Sequence, residues 1–201
     1  MSLVRDLRRV AAAQTSARPS RPVERCDLCG SEVSADHRHL LQLEDRQILC
    51  SCESCFALRS GDPDLRPTGH RIVRLDGFRL PDELWAELRI PIGLAFLFVS
   101  SVGGQVIAFY PSPAGATESE LDLAAWQDIV AANPILETLE LDVEALIVNR
   151  LADPPQFVIA PIDRCYALVG LVKLRWEGIN GGPNLREAIA DYLDVLRREA
   201  T

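Results

Sequence analysis

Two pairs of cysteines, each with two residues between the partners, constrain this chain more than any other feature of its sequence. Cys26 pairs with Cys29, and Cys52 pairs with Cys55. A Cys-x-x-Cys turn directs both thiolates toward one ion, and two such turns complete the tetrahedral shell that zinc prefers. We therefore expect these four cysteines to bind one Zn²⁺ and to organise residues 26–60 as a small zinc-binding module.

The same segment contains three further residues that could ligate a metal. Cys50 lies two positions before Cys52 and could replace it as a ligand, or it could be a buried thiol without a metal role. His37 and His39 would face the same way on a strand; because four thiolates already fill the shell of zinc, exposure on the strand is favoured and ligation is the alternative. Four sulfurs could also hold one iron as in rubredoxin, and the two histidines could join cysteines around an Fe–S cluster.

Local patterns within the module predict a hairpin followed by a helix. The apolar residues of 39–43 and 47–49 are separated by a polar turn at 44–46. Residues 53–59 are compatible with a helix whose first turn carries Cys55. A knuckle, a hairpin and such a helix together make a treble clef, whereas a zinc ribbon would have hairpins on both sides of the metal.

The rest of the chain alternates strand and helix patterns that are typical of an α+β domain. The turn-rich residues 61–69 indicate a boundary, so we expect the domain to span residues 68–201. Predicted strands are 71–75, 94–101, 105–110, 143–148 and 157–160, and predicted helices are 81–88, 117–132, 163–176 and 184–198. These elements predict a mostly antiparallel sheet of about five strands with helices packed on it.

Two of the predicted helices begin at residues suited to capping. Thr117 and Glu120 match a Thr-x-x-Glu capping box, and Asp163 could cap the helix that follows it. Cys165, two residues later, is expected to be a half-buried packing residue.

Charge is distributed unevenly along the chain. Residues 1–25 contain six arginines and two acidic residues, a net charge of +4, whereas the whole chain carries −8, which leaves −12 for residues 26–201. We expect the first segment to be a flexible basic arm. The acidic body disfavours nucleic acid, because it would repel a phosphate backbone. The metal segment is similar to the treble clef of HNH endonucleases, but it lacks the asparagine and the final histidine of their sites.

The sequence contains no pattern for crossing or leaving through a membrane. Its longest apolar run, residues 90–99, is about half of the roughly 20 residues that a spanning helix needs. The N-terminus has no apolar core of a signal peptide, and clustered cysteines are typical of metal sites in a reducing compartment. We therefore expect a cytoplasmic protein.

Four stretches of the chain carry a family resemblance. They are the metal segment, residues 109–119 (FYPSPAGATES), the triplet 148–150 and residues 161–182 (PIDRCYALVGLVKLRWEGINGG). Together they resemble an uncharacterised bacterial family, of actinobacterial type, with an N-terminal cysteine-rich metal module. Genes of that family often lie near uptake [NiFe]-hydrogenase clusters. The resemblance implies an accessory role toward a [NiFe] hydrogenase, through contacts with one of its subunits or maturation factors, and it implies no established activity.

The sequence therefore favours a zinc-binding accessory or adaptor protein over two alternatives. The first alternative is an electron carrier for the same system, with rubredoxin-like iron or an Fe–S cluster. The second is an enzyme, which the sequence disfavours because no Ser-His-Asp or paired-carboxylate arrangement can be assembled from residue spacing.

Overall fold

The computed structural model describes residues 23–112, 114–119, 121, 123–178 and 181–200. Within these residues the chain forms nine strands in two sheets, five α-helices and one 3₁₀ helix. The prediction of a flexible arm at residues 1–25 lies almost entirely outside the described residues. None of the helices in the described ranges is long and apolar enough to span a membrane.

The first sheet has three antiparallel strands in the order β2-β1-β3. β1 (Arg38–Gln42) and β2 (Gln47–Ser51) confirm the predicted hairpin, and α1 (Glu53–Arg59) follows where the sequence indicates a helix. β3 (Leu65–Pro67) comes from the segment predicted as a boundary. Its apolar pattern is too short to stand out from the surrounding turn residues, but it pairs with β1 and buries Leu65.

The second sheet has six antiparallel strands in the order β4-β9-β8-β5-β6-β7. They are β4 (Val73–Arg74), β5 (Leu94–Val99), β6 (Val106–Ser112), β7 (Gly115–Ser119), β8 (Glu144–Asn149) and β9 (Gln156–Pro161). The observed class is α+β with antiparallel sheets, as the sequence predicts.

Helices cover both faces of the six-stranded sheet. They are α2 (Asp82–Glu87), α3 (Leu123–Ala132), the 3₁₀ helix (Pro134–Thr138), α4 (Ile162–Arg175) and α5 (Pro183–Glu199). Because successive strand residues face opposite sides, Phe96 and Phe98 belong to the core cluster that contains α4 and α5. Leu97 belongs to the cluster on the opposite face, which contains α3 and the 3₁₀ helix.

Thr117 lies in strand β7 and not at the start of a helix, so the predicted capping box is wrong. Its backbone pairs with Tyr110 of β6, and its hydroxyl donates to Ser112 Oγ at 3.1 Å. The turn before it is closed by Gly115, whose φ of 125° is rarely adopted by other residues. The following helix α3 begins at Leu123, and Glu120 lies outside the described residues.

The two sheets pack against each other through the first hairpin. Leu40 of β1 belongs to the small cluster with Leu49 and Leu65. Leu41, one residue later, points the other way into the core cluster that contains α4 and α5. The hairpin is thus buried on both faces. The start of β1 lies against the N-terminus of α4, where His39 contacts Asp163.

Candidate metal centre

Two turns and helix α1 bring four cysteines together beside the small sheet. The Sγ atoms of Cys26, Cys29, Cys52 and Cys55 all lie within 4.8 Å of one another, and those of Cys29 and Cys52 are 3.7 Å apart. Zn–S bonds of about 2.3 Å in a tetrahedron place neighbouring sulfurs about 3.8 Å apart. The four cysteines could therefore hold one metal ion without rearrangement of the backbone.

A tight turn holds the first cysteine pair. The Gly30 N–H donates to the Cys26 carbonyl at 2.8 Å, and the Cys26 N–H donates to the Ser31 carbonyl at 2.8 Å. Gly30 has a φ of 77°, which lies in the left-handed region where glycine is favoured. The sequence CDLCG therefore fixes the relative positions of Cys26 and Cys29.

The start of helix α1 holds the second pair. Cys52 is the N-cap residue, and its sulfur accepts a hydrogen bond from the Cys55 backbone N–H at 3.4 Å. This bond is the main cause that lowers the pKa of Cys52 to about 6, whereas hydrogen bonds with the Cys29 and Cys52 thiols raise the pKa of Cys55 to about 12. Four adjacent thiols cannot all ionise without a compensating positive charge, and a divalent cation would provide it.

The two histidines form a separate group with Cys50. One nitrogen of each ring and the Cys50 sulfur all lie within 4.8 Å of one another. The strand register explains this group: His39 lies directly opposite Cys50, and the His37 ring packs edge-on against His39 with centroids 4.6 Å apart. Cys50 and Cys52 thus belong to different groups. The predicted exposure of His37 is wrong, because its side chain is only 7% exposed.

Asp163 is not the N-cap residue of helix α4, contrary to the prediction, although its Oδ1 accepts from the Arg164 backbone N–H in the first turn at 2.9 Å. Its Oδ2 lies 2.9 Å from His39 Nδ1, a contact between residues 124 positions apart. The N-cap residue is Pro161, which makes no side-chain capping bond. Cys165 is fully buried rather than half-buried, and this burial raises the pKa of its thiol well above the ordinary value. It is therefore a packing residue of the core.

Fold and site define the protein as an α+β protein with a cysteine-rich module that could hold a metal ion. The chain belongs to a family of unknown function, DUF5947, whose family model matches residues 25–200. No curated protein and no solved structure matches the chain. The matched residues include the cysteine module and the six-stranded sheet.

Proposed function

We propose that this protein is a cytoplasmic zinc-binding adaptor, in which a four-cysteine site stiffens a treble-clef module that docks onto a partner protein. The observation that carries this proposal is the group of four sulfurs within 4.8 Å of one another. Four thiolates fill the tetrahedral shell of zinc and leave no position for water or substrate, as in structural sites. The knuckle at Cys26, the β1–β2 hairpin and helix α1 are the parts of a treble clef.

The docking surface that we propose is the outer side of helix α1. None of its residues is fully buried, and Leu58 is 77% exposed. The helix begins at the metal-binding pair, and the Arg38 guanidinium lies 4.5 Å above the Phe56 ring and secures the helix to the hairpin. A short helix that is held in place before binding loses little conformational entropy on docking.

The partner that we propose is a subunit or maturation factor of a [NiFe] hydrogenase. The resemblance carried by the metal segment and by residues 109–119, 148–150 and 161–182 supports this choice. The acidic body, with a net charge of −12 over residues 26–201, disfavours nucleic acid as the partner.

The exposure of the metal-binding sulfurs supports a second candidate function, that of a one-electron carrier. Cys29 is exposed, and Cys52 and Cys55 are partly exposed. Iron in a four-thiolate site of rubredoxin type would exchange electrons through such an exposed edge.

Metal analysis with an absorption spectrum distinguishes these two functions. For protein purified without oxygen we expect zinc and no visible absorption, because Zn²⁺ has a filled d shell. A red-brown colour that bleaches on addition of dithionite would contradict the zinc site and favour the electron carrier.

The partner is tested by affinity capture from the native host. Two variants that each replace an exposed leucine by glutamate test the proposed docking surface. Leu58→Glu places a charge on the proposed surface, and Leu174→Glu places the same charge on α4 at a side chain that is 85% exposed. We expect wild type and Leu174→Glu to recover a hydrogenase subunit or maturation factor, and Leu58→Glu to lose it. Wild type that recovers no hydrogenase-related protein contradicts the partner, and equal recovery by Leu58→Glu contradicts the surface.

A further inference from the structure

His37, His39 and Cys50 lie at the junction of the two sheets, apart from the four-cysteine group. We infer that these three residues form a second metal site, which binds a transition-metal ion such as Zn²⁺ through two imidazole nitrogens and one thiolate. Imidazole and thiolate together suit such an ion, whereas Mg²⁺ and Ca²⁺ prefer oxygen ligands. This inference goes beyond the proposed adaptor function, which requires only the four-cysteine site.

The hydrogen bonds of the two rings leave the same nitrogen available in each. His37 Nδ1 lies 2.7 Å from the Ser34 carbonyl oxygen, which can only accept, so Nδ1 carries the proton and donates. His39 Nδ1 lies 2.9 Å from Asp163 Oδ2 and donates to the carboxylate in the same way. With Nδ1 donating, Nε2 is the nitrogen of each ring that remains to ligate a metal. Metal-binding histidines usually have this arrangement, because a carbonyl or carboxylate on one nitrogen orients the other toward the metal.

His37 Nε2 has no hydrogen-bond partner, although it is buried. The side chain is 7% exposed, and this nitrogen makes no hydrogen bond with any described residue. An unpaired polar atom in the interior costs about 1–3 kcal/mol. A histidine that served only to pack or to pair with Glu24 would use Nδ1 alone and leave this cost unexplained, whereas a metal ion bound to Nε2 would remove it.

The electrostatic surroundings of the group favour a cation. Glu24 Oε2 lies 3.5 Å from His37 Nδ1, and Asp163 contacts His39. On the opposite side, Asp27 Oδ2 accepts from the Cys50 backbone N–H at 2.6 Å. Three carboxylates thus lie beside the two rings and the thiol, and a divalent ion would compensate their charge.

The site has three ligands among the described residues, so a tetrahedral ion would keep a fourth position open. His37 and His39, but not Cys50, line a cleft of about 490 Å³ together with His70, Asp163 and Arg164. Zinc with two neutral imidazoles and one thiolate keeps a net charge of +1. The fourth position therefore suits water or a small anion, as in zinc sites that have three protein ligands.

Zinc stoichiometry of the full chain tests the inference. After dialysis against Zn²⁺ and removal of the unbound ion, we expect two zinc ions per chain for wild type and one for His37→Ala, His39→Ala or Cys50→Ser. His70→Ala is the matched control, because His70 lines the same cleft outside the ligand group, and it should keep two. Circular dichroism checks that each variant is folded.

The outcomes separate this site from the four-cysteine site. A single zinc ion in wild type that persists in His37→Ala overturns the inference and leaves the adaptor proposal intact. A single ion that is lost in His37→Ala but kept in Cys29→Ser supports the inference and contradicts the four-cysteine site. Two ions retained in all three ligand variants also overturn the inference.

Asp163 is a positioning residue for this site, and the zinc affinity of its variants tests that role. Asp163→Ala should weaken zinc binding at the second site by about 10–100-fold, the usual effect of removing such a partner. Asp163→Asn, whose amide oxygen can still accept from His39, should lose less. Equal affinity of wild type and Asp163→Ala would overturn the orienting role.

Cobalt substitution tests the open position. Azide should change the visible spectrum of the wild-type Co²⁺ protein and leave that of His37→Ala unchanged, because a closed four-thiolate site has no position for it. An unchanged wild-type spectrum would overturn the open fourth position.

Discussion

Among the described residues, the small sheet has a cluster of three buried side chains, Leu40, Leu49 and Leu65, whereas the six-stranded sheet has clusters of 21 (Leu41 of β1 included) and 13 on its two faces. So few buried side chains cannot offset the conformational entropy lost by ordering a segment of this size. We therefore expect the small region to depend on metal ligation and on its contacts with the larger one. The large region is stabilised by apolar burial, which needs no metal.

The largest expected effect is the loss of metal from the small region. Cys52→Ser should release the ion of the four-cysteine site and leave residues 26–60 sensitive to protease, because structural zinc contributes on the order of 10 kcal/mol. Metal analysis and limited proteolysis measure both effects. Cys165→Ala is the control, since Cys165 is buried in the large core and lies in neither metal group. Cys52→Ser protein that keeps all its metal would show that Cys52 is not a ligand.

A large-to-small substitution in the core of the six-stranded sheet should lower the stability of the protein without releasing metal. Phe96 is 1% exposed and stacks on Phe109 with ring centroids 5.5 Å apart. Phe96→Ala should lower the free energy of unfolding by about 3–5 kcal/mol and leave the metal content unchanged. Chemical denaturation followed by circular dichroism measures the first, with the exposed Leu174→Ala as a control. Metal loss in Phe96→Ala would show that the metal site depends on the core of the six-stranded sheet.

Leu40 and Leu41 are neighbours in β1, and their side chains lie in the cores of the two different regions. Substitutions at these two positions therefore compare the stability of the two regions from within one strand. Leu41→Ala should destabilise the six-stranded domain by about 2–5 kcal/mol, because its side chain lies in the cluster with α4 and α5. Leu40→Ala should destabilise only the small region, whose cluster contains that side chain. Hydrogen exchange of α4 and of β1 reports on the two regions separately. Equal effects of both substitutions on α4 would mean that the regions unfold together.

A chain that starts at Thr68 tests the domain boundary itself. Residues 68–201 contain every strand of the larger sheet and its helices, so we expect this fragment to fold without metal. Its thermal midpoint should fall below that of the domain in the full chain, because Leu41 and the His39–Asp163 contact are absent. A fragment that stays unfolded by circular dichroism would show that the hairpin is an essential part of the large core.

Local patterns were sufficient for the elements of the cysteine module. The two Cys-x-x-Cys turns, the hairpin and helix α1 depend on residues close in sequence, and the sequence predicts them at nearly the observed positions. Thr117 shows the limit of this reasoning, because it matches a capping box but is held in β7 by pairing with β6. Local propensity is a weak prior that strand pairing overrides.

The sequence marks His37, His39 and Cys50 as possible metal ligands, but spacing alone could not separate them from the four-cysteine group. The geometry of these three residues depends on the register that places His39 opposite Cys50, and a shift of one residue would turn Cys50 to the other face. It also depends on Asp163, whose Oδ1 accepts from the helix backbone at Arg164 while its Oδ2 contacts His39, 124 positions away. The observed turn spans residues 43–46, one residue more than the predicted 44–46, and this turn sets the register that pairs His39 with Cys50.

The smallest expected effect concerns the ion pair that joins the two regions at their surface. Arg46 Nη1 donates to Glu118 Oε2 at 3.1 Å, and the two side chains are 33% and 54% exposed. Exposed pairs of this kind contribute only about 0.2–1 kcal/mol, because water and salt screen them. A double-mutant cycle with Arg46→Gln and Glu118→Gln should therefore give a coupling energy in this range that falls with added salt. The Arg25–Glu32 pair, at 3.4 Å within the small region, is the matched control.

A coupling above about 2 kcal/mol would exceed what an exposed pair can supply. It would show that surface charge contributes to the contact between the two regions in addition to the burial of Leu41.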